Sequence, residues 1–370
     1  MTNASRLATA VRALALILMI GWLLRIGQPI LAPLVASLLV VFVIMGVSEL
    51  LARERRLARL PQWAREVLAT VVICVALIEL AGLIASNVGA FAGRAAEYQE
   101  ALLGLYQRIA LHFEFDEAAT LSAIRAEAAQ TLNLPGLARA AAGSAAGVVA
   151  VLLFVLLNVA FLMAERRMFA DKIDRLGLAP ASVARIRAVM ADVNERVGTY
   201  LALKTLMNLI LGVLSWVIML AFGIEFATMF AIVIAVLNYI PYFGSFIGVA
   251  FPAVAGLVTF SDPASVVWLV LLLAAAQLLI GNVVEPQVMG SSLNLSPWVI
   301  LIALTVWGAL WGVAGAVFSV PITAVLLVVL SEFDATRPVA LLLSRDGRLP
   351  RPRRVTDAAL AAAPQTGGKP

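Results

Sequence analysis

Two polar clusters interrupt runs that are otherwise hydrocarbon, and their side chains are the ones in this chain equipped to hold or pass a small polar species. The first is Asn238-Tyr239-Ile240-Pro241-Tyr242-Phe243-Gly244-Ser245. It combines two phenols, a carboxamide and a hydroxyl with a proline that removes a backbone donor and a glycine that permits close backbone approach. The second, Gly281-Asn282-Val283-Val284-Glu285-Pro286-Gln287, sets a carboxylate beside a proline at a helix end, with a carboxamide three positions earlier. That grouping can take up a proton or a cation. Glu79 lies near the centre of another apolar run, where a charge is costly and is expected to be neutral or paired. Lys204, at the start of a further run, either joins such coupling or snorkels to the headgroups. The plainer readings are a packed kink, a solvated helix-end glutamate and an interface carboxylate.

Other chemistries are poorly supplied. Cys74 is the single cysteine and His112 the single histidine, so neither a disulfide framework nor a His/Cys metal site can be assembled. No phosphate-binding loop is present. The chain therefore reads as a non-enzyme without cofactor or metal.

The elements that position these groups belong to a membrane. Of 370 residues, 62% are hydrophobic and 13% charged, with a mean hydropathy of +0.99. Several runs pass the roughly 18-residue threshold for a spanning helix. The net charge of +5 lies between the runs, which makes it a topology signal and argues against nucleic-acid binding. Runs at 11–24 and 30–50 form a hairpin flanked by Arg6 and Arg12 before it and Arg53, Arg55, Arg56, Arg59 and Arg65 after it. By the positive-inside rule both flanks are cytoplasmic. A third span covers about 67–87. The segment 88–142, with four Arg against six carboxylates, is then external. Within it Phe91, Ala95, Tyr98, Leu102, Leu105, Ile109 and Phe113 recur at helical spacing and predict an amphipathic helix. A fourth span, 144–163, leads to a basic cytoplasmic helix and a fifth span at about 203–222. The tail beyond Leu330 carries seven Lys or Arg against four acids, and is cytoplasmic and partly disordered.

Two late stretches, 225–260 and 297–330, are too long for one span and broken internally. The first breaks at the Asn238 cluster, the second around Gly308, Gly312 and Gly315. Non-helical backbone survives at membrane depth only where protein or a water-filled cavity satisfies it, and paired broken segments point to a transporter's binding site. Residues 226–239 rise about 21 Å as helix, short of a roughly 30 Å hydrocarbon core. The expected fold is an all-α polytopic membrane protein with six spans and two re-entrant broken hairpins, or alternatively eight spans. Its parts are an N-terminal hairpin and basic loop (1–66), third and fourth spans with the external insert (67–164), a cytoplasmic amphipathic helix (165–202), a transport core (203–331) and the tail (332–370). Candidate pathway residues are Asn238, Tyr239, Pro241, Tyr242, Gly244, Ser245, Asn282, Glu285, Pro286, Gln287, Gly312 and Gly315. Candidate coupling residues are Glu79, Glu285 and Lys204.

The segments LNYIPYFGSFIG (237–248), GNVVEPQVMGSSLNLSP (281–297) and WGALWGVAGAVFSVPIT (307–323) resemble the autoinducer-2 exporter family of bacterial membrane proteins. YLALKT (200–205) and PVALLLS (338–344) resemble its quorum-signal exporter branch. The resemblance implies export of a small polar signal such as autoinducer-2, with a cation/proton antiporter of the same family as the alternative. It also implies a bacterial inner-membrane location with both termini cytoplasmic, a lipid bilayer and small-molecule substrate as partners, and a homo-oligomer, a pentamer in particular. Two features depart from the family pattern: Gln287 stands where a basic residue is frequent, and Glu79 matches no family motif.

Overall fold

The structure is a computed structural model, and it describes residues 3–112, 134–260, 262–289, 293–347 and 349. Phe113, part of the external insert and most of the basic tail lie outside these residues, as does the side chain of His112. The described chain is all-helical. Its principal elements are α1 (Asn3–Ile26), α2 (Gln28–Arg53), α3 (Gln62–His112), α4 (Leu134–Asp174), α5 (Pro180–Ala221), α6 (Ala227–Leu237), α7 (Phe243–Thr259), α8 (Pro263–Leu278), α9 (Glu285–Met289), α10 (Pro297–Ser331) and α11 (Arg337–Leu343). Six helices are long and apolar enough to cross a membrane: α2, α3, α4, α5, α8 with its continuation to Met289, and α10. The chain is a multi-pass membrane protein.

The membership of that set differs from the expected six spans. Of α1, a 24-residue helix, the stretch Leu14–Ile26 is apolar among the described side chains, whereas α10 enters as one 35-residue helix despite its break at Trp311 and Gly312. The third span and the insert helix are also one element, since α3 runs unbroken for 51 residues. The helix of the basic segment is likewise continuous with its neighbours. It is shared between the end of α4 and the start of α5, with the chain turning between Asp174 and Pro180.

The chain forms two compact units. Unit 1 comprises Met1–Gln62, Asn158–Ala202 and Ser291–Pro370, and unit 2 comprises Trp63–Leu157 and Leu203–Gly290. Each has its own apolar core. In unit 1, Leu39, Val193, Val197, Leu201, Val299, Ala324 and Leu327 pack together. In unit 2, Met207, Leu211, Ile234, Ala255, Leu269 and Leu273 do so, joined by Tyr98. Tyr98 and Ala95 are buried, and Phe91 and Tyr98 meet Phe226 in an aromatic cluster. The described part of the amphipathic stripe on α3 therefore packs against its own chain. Within unit 2, α8 starts sharply because Asp262 caps it, accepting the Ser265 N–H at 2.8 Å, with Pro263 at the first turn. That bond holds the Asp262 carboxyl below its ordinary pKa.

Both broken stretches double back. In unit 2 the turn between α6 and α7 brings Gly244 against the Leu237 carbonyl, so closely that a Cβ there would collide with it. In unit 1 the geometry is forced by chain length. A straight helix of the 35 residues in α10 would put its ends about 52 Å apart. Yet Leu295 pairs with Ser344, and the Ser296 N–H donates to the Leu343 carbonyl at 3.1 Å. The chain from Glu332 to Leu343, which includes the seven residues of α11, reaches only about 28 Å. The reversal occurs at Trp311 (φ −124°, ψ 15°) and Gly312 (φ 60°, ψ −139°). It folds Gly315 onto the Trp307 carbonyl.

The glycines of the second stretch therefore differ in consequence. A Cβ on Gly308 meets nothing within 4 Å among the described residues, while one on Gly315 collides with backbone. Gly308→Val is expected to be extracted and to melt like the parent. Gly315→Val should lose about 1–3 kcal/mol or more through overpacking. Thermal unfolding of the detergent-purified proteins checks this, and equal melting of the two variants would refute the fold-back.

Candidate functional site

The polar groups of unit 2 gather along one face of α5. Lys204, Asn208, Leu211, Ser215 and Met219 recur at spacings of three and four, and all are buried. Lys204 Nζ donates to both oxygens of Glu285, at 2.8 and 2.9 Å. The lysine side chain is 10% exposed and the glutamate 21%. Lys204 thus does not snorkel and Glu285 is not a solvated helix end. They form a largely buried pair between residues 81 apart in sequence. Such pairs persist only with good geometry, since both ions give up hydration, and the two-oxygen contact provides it.

A local device aims Glu285. Between α8 and α9 the helix widens into a π turn, Leu279–Val284, whose extra residue re-phases the side chains beyond it. Leu273, Gln277 and Ile280 are buried ahead of or within the turn, and Glu285 comes immediately after it to meet Lys204.

The break between α6 and α7 supplies the next contacts. Asn238 is buried and donates its Nδ2 to Asn208 Oδ1 at 2.8 Å. The Tyr239 hydroxyl lies 2.6 Å from the Thr205 hydroxyl. Backbone bonds close the turn itself, with Gly244 N–H donating to the Ile240 carbonyl at 3.0 Å and Phe243 N–H to the Pro241 carbonyl at 2.7 Å. Tyr242 sits at φ 65°, ψ −47°, a strained conformation for a residue with a Cβ, costing on the order of 1–3 kcal/mol. Its ring is exposed, as is Ser245, and Pro241 is half-buried.

Several expected members stand elsewhere. Asn282, Pro286 and Gln287 are exposed on the π turn and α9, beside Glu285 in sequence but outside its contact with Lys204. Glu79 is exposed on α3, on the flank that also presents Val71, Val72, Val75 and Ile78, and it is not among the groups gathered on α5. Gly312 and Gly315 belong to unit 1, where the break is sealed by protein. There Arg25 donates to the Ala309 carbonyl, Gln28 Nε2 to the Trp311 carbonyl at 3.3 Å, and Trp311 Nε1 to the Leu24 carbonyl at 2.9 Å. A Cβ on Gly308 or Gly312 would meet nothing within 4 Å among the described residues. Gly248 does pack closely, against the Gln277 carboxamide.

Asn208, Thr205 and Gln277 were not singled out by sequence. The first two had a readable signal, because polar residues at 204, 205 and 208 fall on one flank of an apolar helix. Gln277 had none beyond its polarity. Among the described residues no group of three acidic, His or Cys side chains is placed to hold a metal.

Comparison with known proteins identifies the family. The model of the AI-2E family transporter matches residues 13–334. The AI-2 transport protein TqsA of Escherichia coli (strain K12) is 27% identical over 349 residues, covering 90% of this chain and 96% of that protein. A Haemophilus influenzae protein whose name gives it only a provisional transport role is 26% identical over 351 residues, covering 93% of this chain and 98% of that protein. A similarly named Borreliella burgdorferi protein is 32% identical over 193 residues, but the chain spans only 53% of its length. With a family match running through almost the whole length of its helices, the chain belongs to the AI-2E family of transporters.

Proposed function

We propose that the protein is a secondary exporter of a small polar signalling molecule, autoinducer-2-like in class, working by alternating access at the broken hairpin of unit 2. The observation that supports this best is the buried Lys204–Glu285 pair beside the Asn208–Asn238 contact, a charged and polar site at the reversal of a half-length helix. Asn238, Tyr239, Pro241, Tyr242, Gly244 and Ser245 form its wall. Lys204 and Glu285 couple transport to protonation, as a proton on Glu285 would release the lysine. The cation/proton antiporter reading is the weaker one, because Lys204 already occupies both Glu285 oxygens. Glu79 has a different role. Exposed on an apolar helix, its carboxylate is relieved by protonation or by a second copy of the chain, which accords with a homo-oligomer.

The topology belongs to the same reading: an inner-membrane protein with cytoplasmic termini, six spans and two re-entrant hairpins. Helices α6 and α7, of 11 and 17 residues, are about 16 and 26 Å long, each short of the roughly 30 Å core.

Three outcomes are expected. In cells lacking the native gene, expression raises external and lowers internal autoinducer-2, and unchanged levels would remove the signal assignment. In proteoliposomes Glu285→Gln abolishes the pH dependence of export whereas Glu79→Gln keeps it. For stability, Lys204→Met should cost about 3–5 kcal/mol by stranding a buried charge, and Lys204→Met with Glu285→Leu should recover most of that, as thermal unfolding in detergent would read. The topology has its own check. A cysteine at Ser291, placed in a Cys74→Ala background, should be labelled from the cytoplasm, and labelling from outside would establish eight spans instead.

A further inference from the structure

Asn208 and Gln277 are 2% and 7% exposed, and the Nδ2 of the first and the Nε2 of the second have no hydrogen-bond partner among the described residues. Buried N–H groups almost always find an acceptor, and leaving one unmet is costly. The two amides border the same turn of α6. Gln277 Nε2 lies 2.8 Å from the point where a Cβ on Gly248 would stand, and that point is 3.4 Å from Ile234 Cγ1. Ile234 is one helical turn before Asn238, whose Nδ2 donates to Asn208 Oδ1. Gly248 is therefore the residue whose missing side chain admits the Gln277 carboxamide to this turn. Ser215 Oγ is also unpartnered, but it lies two turns further along α5, about 10 Å from Asn208.

The charge balance around the turn selects the ligand. Lys204, one turn before Asn208, is neutralised by Glu285 through both carboxylate oxygens. An anion entering here meets no uncompensated cation, and a cation meets no uncompensated carboxylate. What remains is a pair of neutral donors in an apolar surround of Ile234, Leu211 and Leu273.

We propose that Asn208 and Gln277 form a neutral binding subsite that donates hydrogen bonds to the oxygens of an uncharged, hydroxyl- or carbonyl-bearing ligand. The subsite rests on the reading of the unit 2 hairpin as the transport site and specifies the class of molecule that site takes. Gly248 is a positioning residue for it, acting through Gln277.

Binding tests it without requiring transport. Purified full-length protein is melted in detergent with millimolar erythritol, erythronate or sodium chloride against choline chloride, too dilute for osmolyte stabilisation. Erythritol should raise the Tm of the parent saturably, while erythronate and sodium should not. Gln277→Met, nearly isosteric and without the donor, should weaken the erythritol response at least tenfold, and Asn208→Leu should do likewise. Glu285→Gln, which leaves Lys204 uncompensated, should turn the preference toward erythronate. The proposal is overturned if erythritol leaves the parent unmoved, if both donor variants respond like the parent, or if sodium or erythronate saturates the parent in its place. Absence of export by the parent with erythritol binding intact would instead overturn the transport reading.

Discussion

In hydrocarbon, a backbone carbonyl or amide released from a helix has no water to turn to, so each interruption of a spanning segment must be answered by other parts of the protein. This chain contains two such interruptions and answers them differently. At Trp311 and Gly312 the α1–α2 turn supplies the donors, and the Trp311 indole returns a bond to the Leu24 carbonyl. At Asn238–Tyr242 the turn is closed by its own backbone, and side chains on α5 bind Asn238 and Tyr239. The first break thus has side-chain donors from the α1–α2 turn for two of its carbonyls. The second leaves carboxamide donors beside it, which is why the two breaks, alike in sequence character, are assigned different roles.

The Lys204–Glu285 pair is the electrostatic counterpart of that difference. Each ion would be very costly alone in a packed helical interior, so the two are present as a unit and removing either strands the other. Their contact depends on the π turn, Leu279–Val284, a small irregularity that rotates Glu285 toward α5.

Much of this was legible in the residues. The break at 238–242 announces itself through Pro241 and Gly244, and the second through Gly312, because these residues act on their own local backbone. Segment lengths anticipated the fold-back, since residues 226–239 rise only about 21 Å as helix, short of the roughly 30 Å core. Partnerships were less legible. Lys204 and Glu285 each read as a coupling candidate, with a headgroup lysine and a solvated helix-end glutamate as the plainer readings, but not as a pair, because nothing in either neighbourhood signals a partner 81 positions away. Gln277 stood unnoticed in an apolar helix, since its importance comes from the space opened by Gly248 on another helix. The glycines show the same limit. Gly308 and Gly315 look equivalent in sequence, yet only the second meets backbone, and that depends on the reversal between them.

The seal on the second break reaches beyond the break itself. Arg25, Gln28 and the Leu24 carbonyl belong to the turn joining the first two helices, so the tip of α10 and the N-terminal hairpin are tied by three hydrogen bonds. If that tip shifts during a transport cycle, either the bonds break or α1 travels with it. The N-terminal helix then becomes a lever attached to the working end of α10, and a bulky fusion at the N-terminus loads that lever even though it touches no part of the pathway.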